Sequence, residues 1–113
     1  MITGLGTASS IEQAGAINLV IKERDRQDAK WGSQRELPRH LWGSILGEEF
    51  GEVCKANLEC VATFKNGEQN TYGDVELLEE LSQVAAVAVA WMEDLLTKPN
   101  GIRSIKDLPD EDA

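Results

Sequence analysis

Hydrophobic residues recur at helical spacing in three stretches of the chain, and no stretch alternates as a β-strand does. The pattern predicts helices at about residues 11–30, 41–65 and 74–97. Ser10 with Gln13 has the sequence of a capping box before the first helix, and Gly32 is placed to end it. Asp74, or Thr71 with Asp74 three residues later, is the expected cap of the third helix. Three long helices predict an all-α bundle.

The length and the charge balance narrow the classes of protein. The 113 residues fit a single domain, with a short segment after the third helix and flexible ends expected at 1–9 and 107–113. Acidic residues number 20 and basic residues 11, so the formal net charge is -9. Nucleic acids and anionic membranes bind cationic surfaces, and we therefore expect neither as a partner.

The chain also lacks the patterns of export and membrane insertion. Its longest apolar run, residues 84–92, is much shorter than the about 20 residues of a membrane-spanning helix. The N-terminus has no basic-then-apolar pattern of a signal peptide. Cys54 and Cys60 are interpreted as reduced packing thiols. We expect a soluble, cytoplasmic protein.

Two of the predicted helices carry carboxylates on their apolar sides. When the second helix is wound at about 100° per residue, Glu49 falls within the apolar face, Glu52 at its edge and Glu48 just beyond. On the third helix Glu80 flanks the apolar stripe, and Gln83 is the next polar position on that side. Burial of an unpaired carboxylate costs several kcal/mol, and the inner faces of these two helices offer no basic residue as a partner.

A bound cation would compensate this buried negative charge. Oxygen ligands at i, i+3 spacing on two facing helices suit a hard cation such as Mg²⁺. The opposing interpretation is that these glutamates face solvent and that the assumed helical phase is wrong by one position. A di-iron centre also uses glutamates inside a bundle, but it requires Glu-x-x-His on two helices, and the single histidine, His40, lies in a predicted loop.

The order of these motifs resembles a known family. Residues 48–52 (EEFGE), followed on the next helix by residues 80–83 (ELSQ), are similar to the EExxE and ExxD motifs of the MazG-like all-α nucleoside triphosphate pyrophosphohydrolases. Residues 23–32 (ERDRQDAKWG) are similar to the end of that family's first helix. The resemblance spans about residues 20–96. It implies Mg²⁺-dependent hydrolysis of a (deoxy)nucleoside triphosphate to the monophosphate and pyrophosphate, for the removal of non-standard or surplus nucleotides.

The resemblance also implies roles for single residues. The catalytic set would be Glu48, Glu49, Glu52 and Glu80. The ligands of Mg²⁺, for which Mn²⁺ would be a substitute, would be Glu49, Glu52, Glu80 and Gln83. Glu48 would hold a second ion or orient the attacking water. Gln83 stands where the family has aspartate, and its amide oxygen can ligate Mg²⁺ but brings no negative charge.

Four further residues are candidates for binding the substrate. Trp31 offers a flat aromatic surface on which a base can stack, and its alternative role is packing at the end of the bundle. Lys30, Arg24 and Lys55 are candidate phosphate partners, and the alternative for each is a solvated surface charge. A Gly-rich phosphate loop of the GxxxxGK type is absent from the sequence, which excludes a P-loop mechanism.

The second and third helices also predict self-association. Gly43, Gly47 and Gly51 form a glycine ridge along one side of the second helix. Each glycine inside a helix costs roughly 0.5–1 kcal/mol relative to alanine, and close approach of another helix would offset this cost. Residues 84–91 are apolar on all sides of the third helix and need cover on all sides. We expect a homodimer or homotetramer, which the family resemblance also implies.

Two other functions remain open from the sequence. One is a non-catalytic helical interaction or regulatory module that keeps the bundle but has lost turnover, and Gln83 is the feature that keeps this alternative open. The other is an enzyme similar to phosphoribosyl-ATP pyrophosphohydrolase, which has a related helical core.

Overall fold

The chain folds into three long helices. A computed structural model describes residues 6–32, 37–62 and 71–97, and the regular secondary structure of those ranges is entirely α-helical. Helix α1 spans Ile11–Trp31, α2 spans Arg39–Ala62 and α3 spans Thr71–Thr97. The prediction of an all-α chain with three long helices is confirmed for these ranges. The predicted flexible ends and the segment after α3 lie largely or wholly outside the described residues. Within the described ranges, no helix is long and apolar enough to cross a membrane.

Both ends of α1 have the capping residues that the sequence predicts. Ser10 is extended, with φ −153°, and its hydroxyl accepts a hydrogen bond from the Gln13 backbone N–H at 3.0 Å. The Gln13 side chain accepts a hydrogen bond from the backbone N–H of Ser9 at 2.5 Å. A capping box uses the N–H of the cap residue itself, Ser10, so this bond is made one residue earlier than expected. Gly32 has φ 91° and donates its N–H to the Asp28 carbonyl at 2.8 Å. Glycine ends the helix there because other residues disfavour positive φ.

The starts of α2 and α3 differ slightly from the prediction. Helix α2 begins at Arg39, directly after Pro38, whose carbonyl accepts from the Leu41 N–H at 3.0 Å. Helix α3 begins at Thr71, so both predicted caps lie inside the helix. Asp74 lies in the first turn, where unpaired backbone N–H groups favour a carboxylate. The predicted end of α2, at residue 65, lies outside the described residues.

Helices α2 and α3 form an antiparallel pair around a small apolar core. Trp42, near the start of α2, stacks on Trp91, near the end of α3, with ring centroids 6.4 Å apart and planes inclined by 6°. Trp42 is 1% exposed, and Val87 and Ala90 complete the buried cluster. The predicted apolar face of α2 is confirmed for its described side chains, which are Trp42, Ile45, Leu46, Val53 and Ala56.

Helix α3 is central because it packs against both α1 and α2. The side chains of residues 84–91 are all buried or half-buried within the single chain. Five of these eight side chains are only half-buried, so the single chain covers the run in part, and self-association stays a prediction. Leu81, expected in the buried stripe, is exposed, whereas Val87 and Ala90 are buried. The covered side of α3 is rotated from the predicted one, and Glu80 and Gln83 lie on the covered line rather than on its flank.

Helix α1 packs through polar side chains. The sequence predicts a core-facing stripe of Ala14, Ile17, Val20 and Ile21, but Ile17 and Ile21 are each 54% exposed and only Val20 is half-buried. The covered side continues instead through Glu23, Arg24, Gln27 and Asp28. Gln27 is buried, and Arg24 forms an ion pair with Glu93 of α3 at 2.6 Å. The prediction was wrong because charged groups that pair across the interface, rather than apolar contacts, fix the orientation of α1.

Candidate metal and substrate site

Glu49 of α2 and Glu80 of α3 meet through Gln83. In the amide orientation that satisfies both carboxylates, Gln83 Nε2 donates to Glu49 Oε2 at 3.3 Å and to Glu80 Oε2 at 3.2 Å. Glu80 and Gln83 are three residues apart on α3, which places them on one side of the helix. All three side chains are half-buried. We call these three residues the carboxylate site.

The carboxylate site disfavours its own negative charge. Burial raises the pKa of Glu49, and the charges of Glu80 and Glu52 raise it further. Burial also raises the pKa of Glu80, and Glu52 is the strongest charge acting on that residue. The exposed Glu48 adds a smaller contribution at Glu49. A cation between the two carboxylates would offset this repulsion.

The structure brings together three of the four predicted metal ligands. Glu49, Glu80 and Gln83 converge, whereas Glu52 is exposed and acts on them through its charge. Within the described residues, no three carboxylate, imidazole or thiol groups converge closely enough to enclose a metal by themselves. Two carboxylates and an amide fit Mg²⁺, which usually keeps several waters and takes one or two carboxylates together with substrate phosphates. They do not form an all-protein cage.

Gln83 fits this position in two ways. With Nε2 inward, its amide donates to both carboxylates. When the amide is flipped, Oε1 replaces Nε2 beside the two carboxylate oxygens, and it can then serve as a third oxygen ligand for a cation. An aspartate would supply only the ligand and would add a third negative charge when no cation is bound. This difference is a physical reason for glutamine at position 83, where the ExxD motif has aspartate.

Helix α1 contributes an ion pair that sequence reasoning missed. The Glu23 side chain is 11% exposed, and its two oxygens accept from Arg26 Nε at 2.8 Å and Nη2 at 2.6 Å. Glu23 also raises the pKa of Glu49, and Glu49 adds to the effect of Glu23 in raising the pKa of Arg26. The pair therefore lies at the edge of the carboxylate site. Its sequence signal is the i, i+3 spacing of opposite charges next to the covered Val20 and Gln27.

The four predicted substrate-binding residues lie at different places. Arg24 is 12% exposed and its guanidinium donates to Glu93 at 2.6 Å and to Asp28 at 2.9 Å, so protein carboxylates already engage it. Lys30 Nζ lies 4.7 Å from the centroid of the Trp31 ring, and both side chains are exposed at the end of α1. Lys55 is exposed on α2.

A cleft of about 390 Å³ opens beside Arg24. Its wall includes Arg24 and Asp28 of α1, Trp42 of α2, and Ala90, Glu93 and Asp94 of α3. The indole N–H of Trp42 donates to Asp94 Oδ2 at 3.2 Å, which links the floor of the cleft to its α3 side. We call this the Arg24 cleft.

Comparison of the chain with protein-family models, curated proteins and solved structures finds no match.

Proposed function

We propose that this chain is a Mg²⁺-dependent nucleoside triphosphate pyrophosphohydrolase, which converts a (deoxy)nucleoside triphosphate and water into the monophosphate and pyrophosphate. The observation that carries the proposal is the approach of Glu49 and Glu80 across Gln83, in half-buried positions where each carboxyl has a raised pKa. These residues belong to the two motifs that resemble those of the MazG-like all-α family. Removal of non-standard or surplus nucleotides is the biological role that we propose with it.

A few residues of α2 and α3 would carry out the proposed hydrolysis. Glu49, Glu80 and Gln83 would hold Mg²⁺, or Mn²⁺ in its place, with Glu52 as a further oxygen nearby. The bound ion supplies neutralisation of phosphate charge and a more acidic water. Glu48, exposed beside the site, orients the attacking water and accepts its proton. Attack at the α-phosphorus breaks its bond to the bridging oxygen, and pyrophosphate leaves.

We also propose that the chain works as a homodimer or homotetramer. Several large apolar side chains are exposed in the single chain, among them Ile11 and Ile17 of α1 and Phe50 and Leu58 of α2. The glycine ridge is uncovered as well, since a methyl group added at Gly43, Gly47 or Gly51 would meet no atom of the described chain within 4 Å. Where exposed apolar side chains lie together in a patch, they mark an interface in many proteins.

Pyrophosphate release from each common ribo- and deoxyribonucleoside triphosphate, with Mg²⁺ and with EDTA, tests the proposed activity. We expect release only with the metal, and a loss of at least about a hundredfold in Glu49→Gln and Glu80→Gln, because each removes a charged ligand. Glu12→Gln is the matched control, since it makes the same change at an exposed glutamate in the first turn of α1, far along the helix from Glu23 at the edge of the site. Equal activity in all three variants would disprove the site assignment.

A non-catalytic interaction module is the second candidate function. The exposed apolar side chains of α1 and α2 support it, because contiguous exposed apolar surface is typical of protein interfaces. This alternative predicts a folded protein that neither binds Mg²⁺ nor releases pyrophosphate. A Mg²⁺ titration by calorimetry together with the release assay distinguishes the two functions.

A further inference from the structure

Arg26 of α1 is held in a fixed orientation but keeps part of its guanidinium group free. Its Nε and Nη2 donate to the two oxygens of Glu23 at 2.8 and 2.6 Å. The Glu23 side chain is 11% exposed and that of Arg26 is 53% exposed, so a mostly buried carboxylate orients a guanidinium that faces solvent. Nη1 of Arg26 donates to no acceptor among the described residues. Arg26 can therefore bind an anion without giving up its contact with Glu23.

Arg24, the other arginine of α1, has every guanidinium nitrogen engaged. Its Nε, Nη1 and Nη2 donate to Glu93, Gln27 and Asp28 at 2.6, 3.2 and 2.9 Å. The Arg24 side chain is also only 12% exposed. A phosphate at Arg24 would have to displace one of these partners, which is costly because a mostly buried charge would lose a hydrogen bond. Of the two arginines, Arg26 is therefore the better phosphate ligand.

The carboxylate site needs a further cationic donor if it is to bind phosphate groups. The charges of Glu49 and Glu80 would balance that of one Mg²⁺, so most of the negative charge of a triphosphate would remain. The hydrogen bond to Glu23 contributes most to raising the pKa of Arg26, and the charge of Glu49 adds to it. Arg26 therefore lies close enough to Glu49 for their charges to interact. It is within reach of the phosphates of a nucleotide whose Mg²⁺ is held at Glu49.

We propose that Arg26 binds the leaving pyrophosphate portion of the substrate, with Glu23 as the residue that positions it. Negative charge builds up on the pyrophosphate as its bond to the α-phosphorus breaks, and a preorganised guanidinium there stabilises the transition state. This role rests on the proposed hydrolysis of nucleoside triphosphates at the carboxylate site. It adds to that site a phosphate ligand from α1 that was not among the residues predicted from the sequence.

Binding of inorganic pyrophosphate to the full chain, measured by calorimetry with Mg²⁺ present, tests this contact. We expect Arg26→Gln to lower the affinity by at least about tenfold, because a charge-assisted hydrogen bond to an anion is lost. Arg39→Gln is the matched control, since Arg39 is exposed at the start of α2, about 15 Å along the helix from Glu49. Titration with Mg²⁺ alone should show equal or tighter binding in Arg26→Gln, because a cation near Glu49 is gone.

A double variant separates phosphate binding from a structural role of the ion pair. Arg26→Gln leaves the mostly buried Glu23 without its partner, which destabilises the fold. Glu23→Gln combined with Arg26→Gln removes both charges and relieves that cost. If Arg26 served only to neutralise Glu23, pyrophosphate binding would recover in the double variant together with stability, measured by thermal unfolding. We expect stability to recover and the affinity for pyrophosphate to stay at least about tenfold below that of the wild type.

The outcomes distinguish this inference from the proposed function. Wild-type pyrophosphate affinity and wild-type kcat/KM in Arg26→Gln would overturn the phosphate contact and leave the activity standing. A wild-type protein that binds no pyrophosphate at millimolar concentration with Mg²⁺ would also overturn it. Weaker pyrophosphate binding in both variants, combined with no hydrolysis of any triphosphate by the wild type, would support Arg26 as a phosphate ligand and contradict the pyrophosphohydrolase.

Discussion

At the residue scale, Glu49 and Glu80 link the stability of the fold to the charge of the site. Their pKa values are raised in the folded chain, mainly by burial. A carboxyl group with a raised pKa favours folding below its ordinary pKa, and this contribution is lost as the pH rises through the raised value. Near neutral pH, the repulsion between these carboxylates therefore destabilises the folded, metal-free protein, and a bound cation would remove that repulsion.

Glu49→Gln tests this linkage. In EDTA at pH 7 we expect the variant to have a higher unfolding temperature than the wild type. The gain in the free energy of unfolding should not exceed about 1 kcal/mol, because the site is partly open to solvent and its charges are screened. Below the ordinary carboxyl pKa of 4.5 the difference should vanish. Added Mg²⁺ should stabilise the wild type and not the variant. A variant that melts earlier than the wild type at pH 7 would contradict the repulsion.

Gln83→Asp should have the opposite effects, a less stable metal-free protein and a higher affinity for Mg²⁺. It removes the amide that donates to Glu49 and Glu80, and it adds a third carboxylate. We expect the metal-free protein to lose about 1 kcal/mol or more, and the affinity for Mg²⁺ to rise several-fold, since a charged oxygen replaces a neutral one. Thermal unfolding in EDTA and calorimetric titration with Mg²⁺ measure the two effects. An unchanged titration would mean that residue 83 does not reach the ion.

At the scale of the helices, the sequence predicted element type and capping well, but it predicted the buried side of a helix unevenly. Local hydrogen bonds decide a cap, so Ser10 and Gly32 could be read directly. The face of α2 could be read because Trp42 and Ala56 are apolar and buried. The face of α1 could not, because Arg24 is covered through its pairing with Glu93, a residue distant in sequence. Glu23 and Arg26 pair locally, but their place at the edge of the carboxylate site depends on how α1 docks, so the sequence did not place them there.

Two glycines of α1 should respond oppositely to alanine. Gly32 has φ 91°, so Gly32→Ala should destabilise the protein by about 1 kcal/mol. Gly15 lies inside the helix with open space around it, so Gly15→Ala should stabilise by roughly 0.5–1 kcal/mol. Chemical denaturation of both variants measures these changes. Equal effects of the same sign would show that backbone conformation does not end α1 at Gly32.

At the scale of the whole molecule, the case for self-association rests on exposed apolar side chains and on the glycine ridge. The apolar run of α3 is buried or half-buried within one chain, whereas Ile17 and Phe50 are exposed and the glycine ridge has open space beside it. Substitutions on the ridge give effects of opposite sign for a monomer and an oligomer. In a monomer, a larger side chain at Gly47 meets open space and the better helix former should stabilise the fold.

Light scattering coupled to gel filtration measures the assembly. We expect wild type to have a mass well above the 12.4 kDa of one chain. Gly47→Leu should bring the mass down to that of the monomer, and Gly47→Ala should act in the same direction but more weakly, since the disruption scales with the size of the side chain. A wild-type mass of one chain, with both variants more stable, would refute the interface.

The polar docking of α1 divides the molecule into parts that open at different free energies. The first half of α1 is exposed, and its second half is held by an ion pair to α3, so its amides should exchange with deuterium before those of the α2–α3 pair, and sooner still at high salt. Glu49, Gln83 and Glu80 all belong to the slower unit. Asp28 and Arg24 belong to the faster one. Undocking of α1 would therefore open the Arg24 cleft while Glu49, Gln83 and Glu80 stay together, and a ligand that contacts both places would protect α1 from exchange.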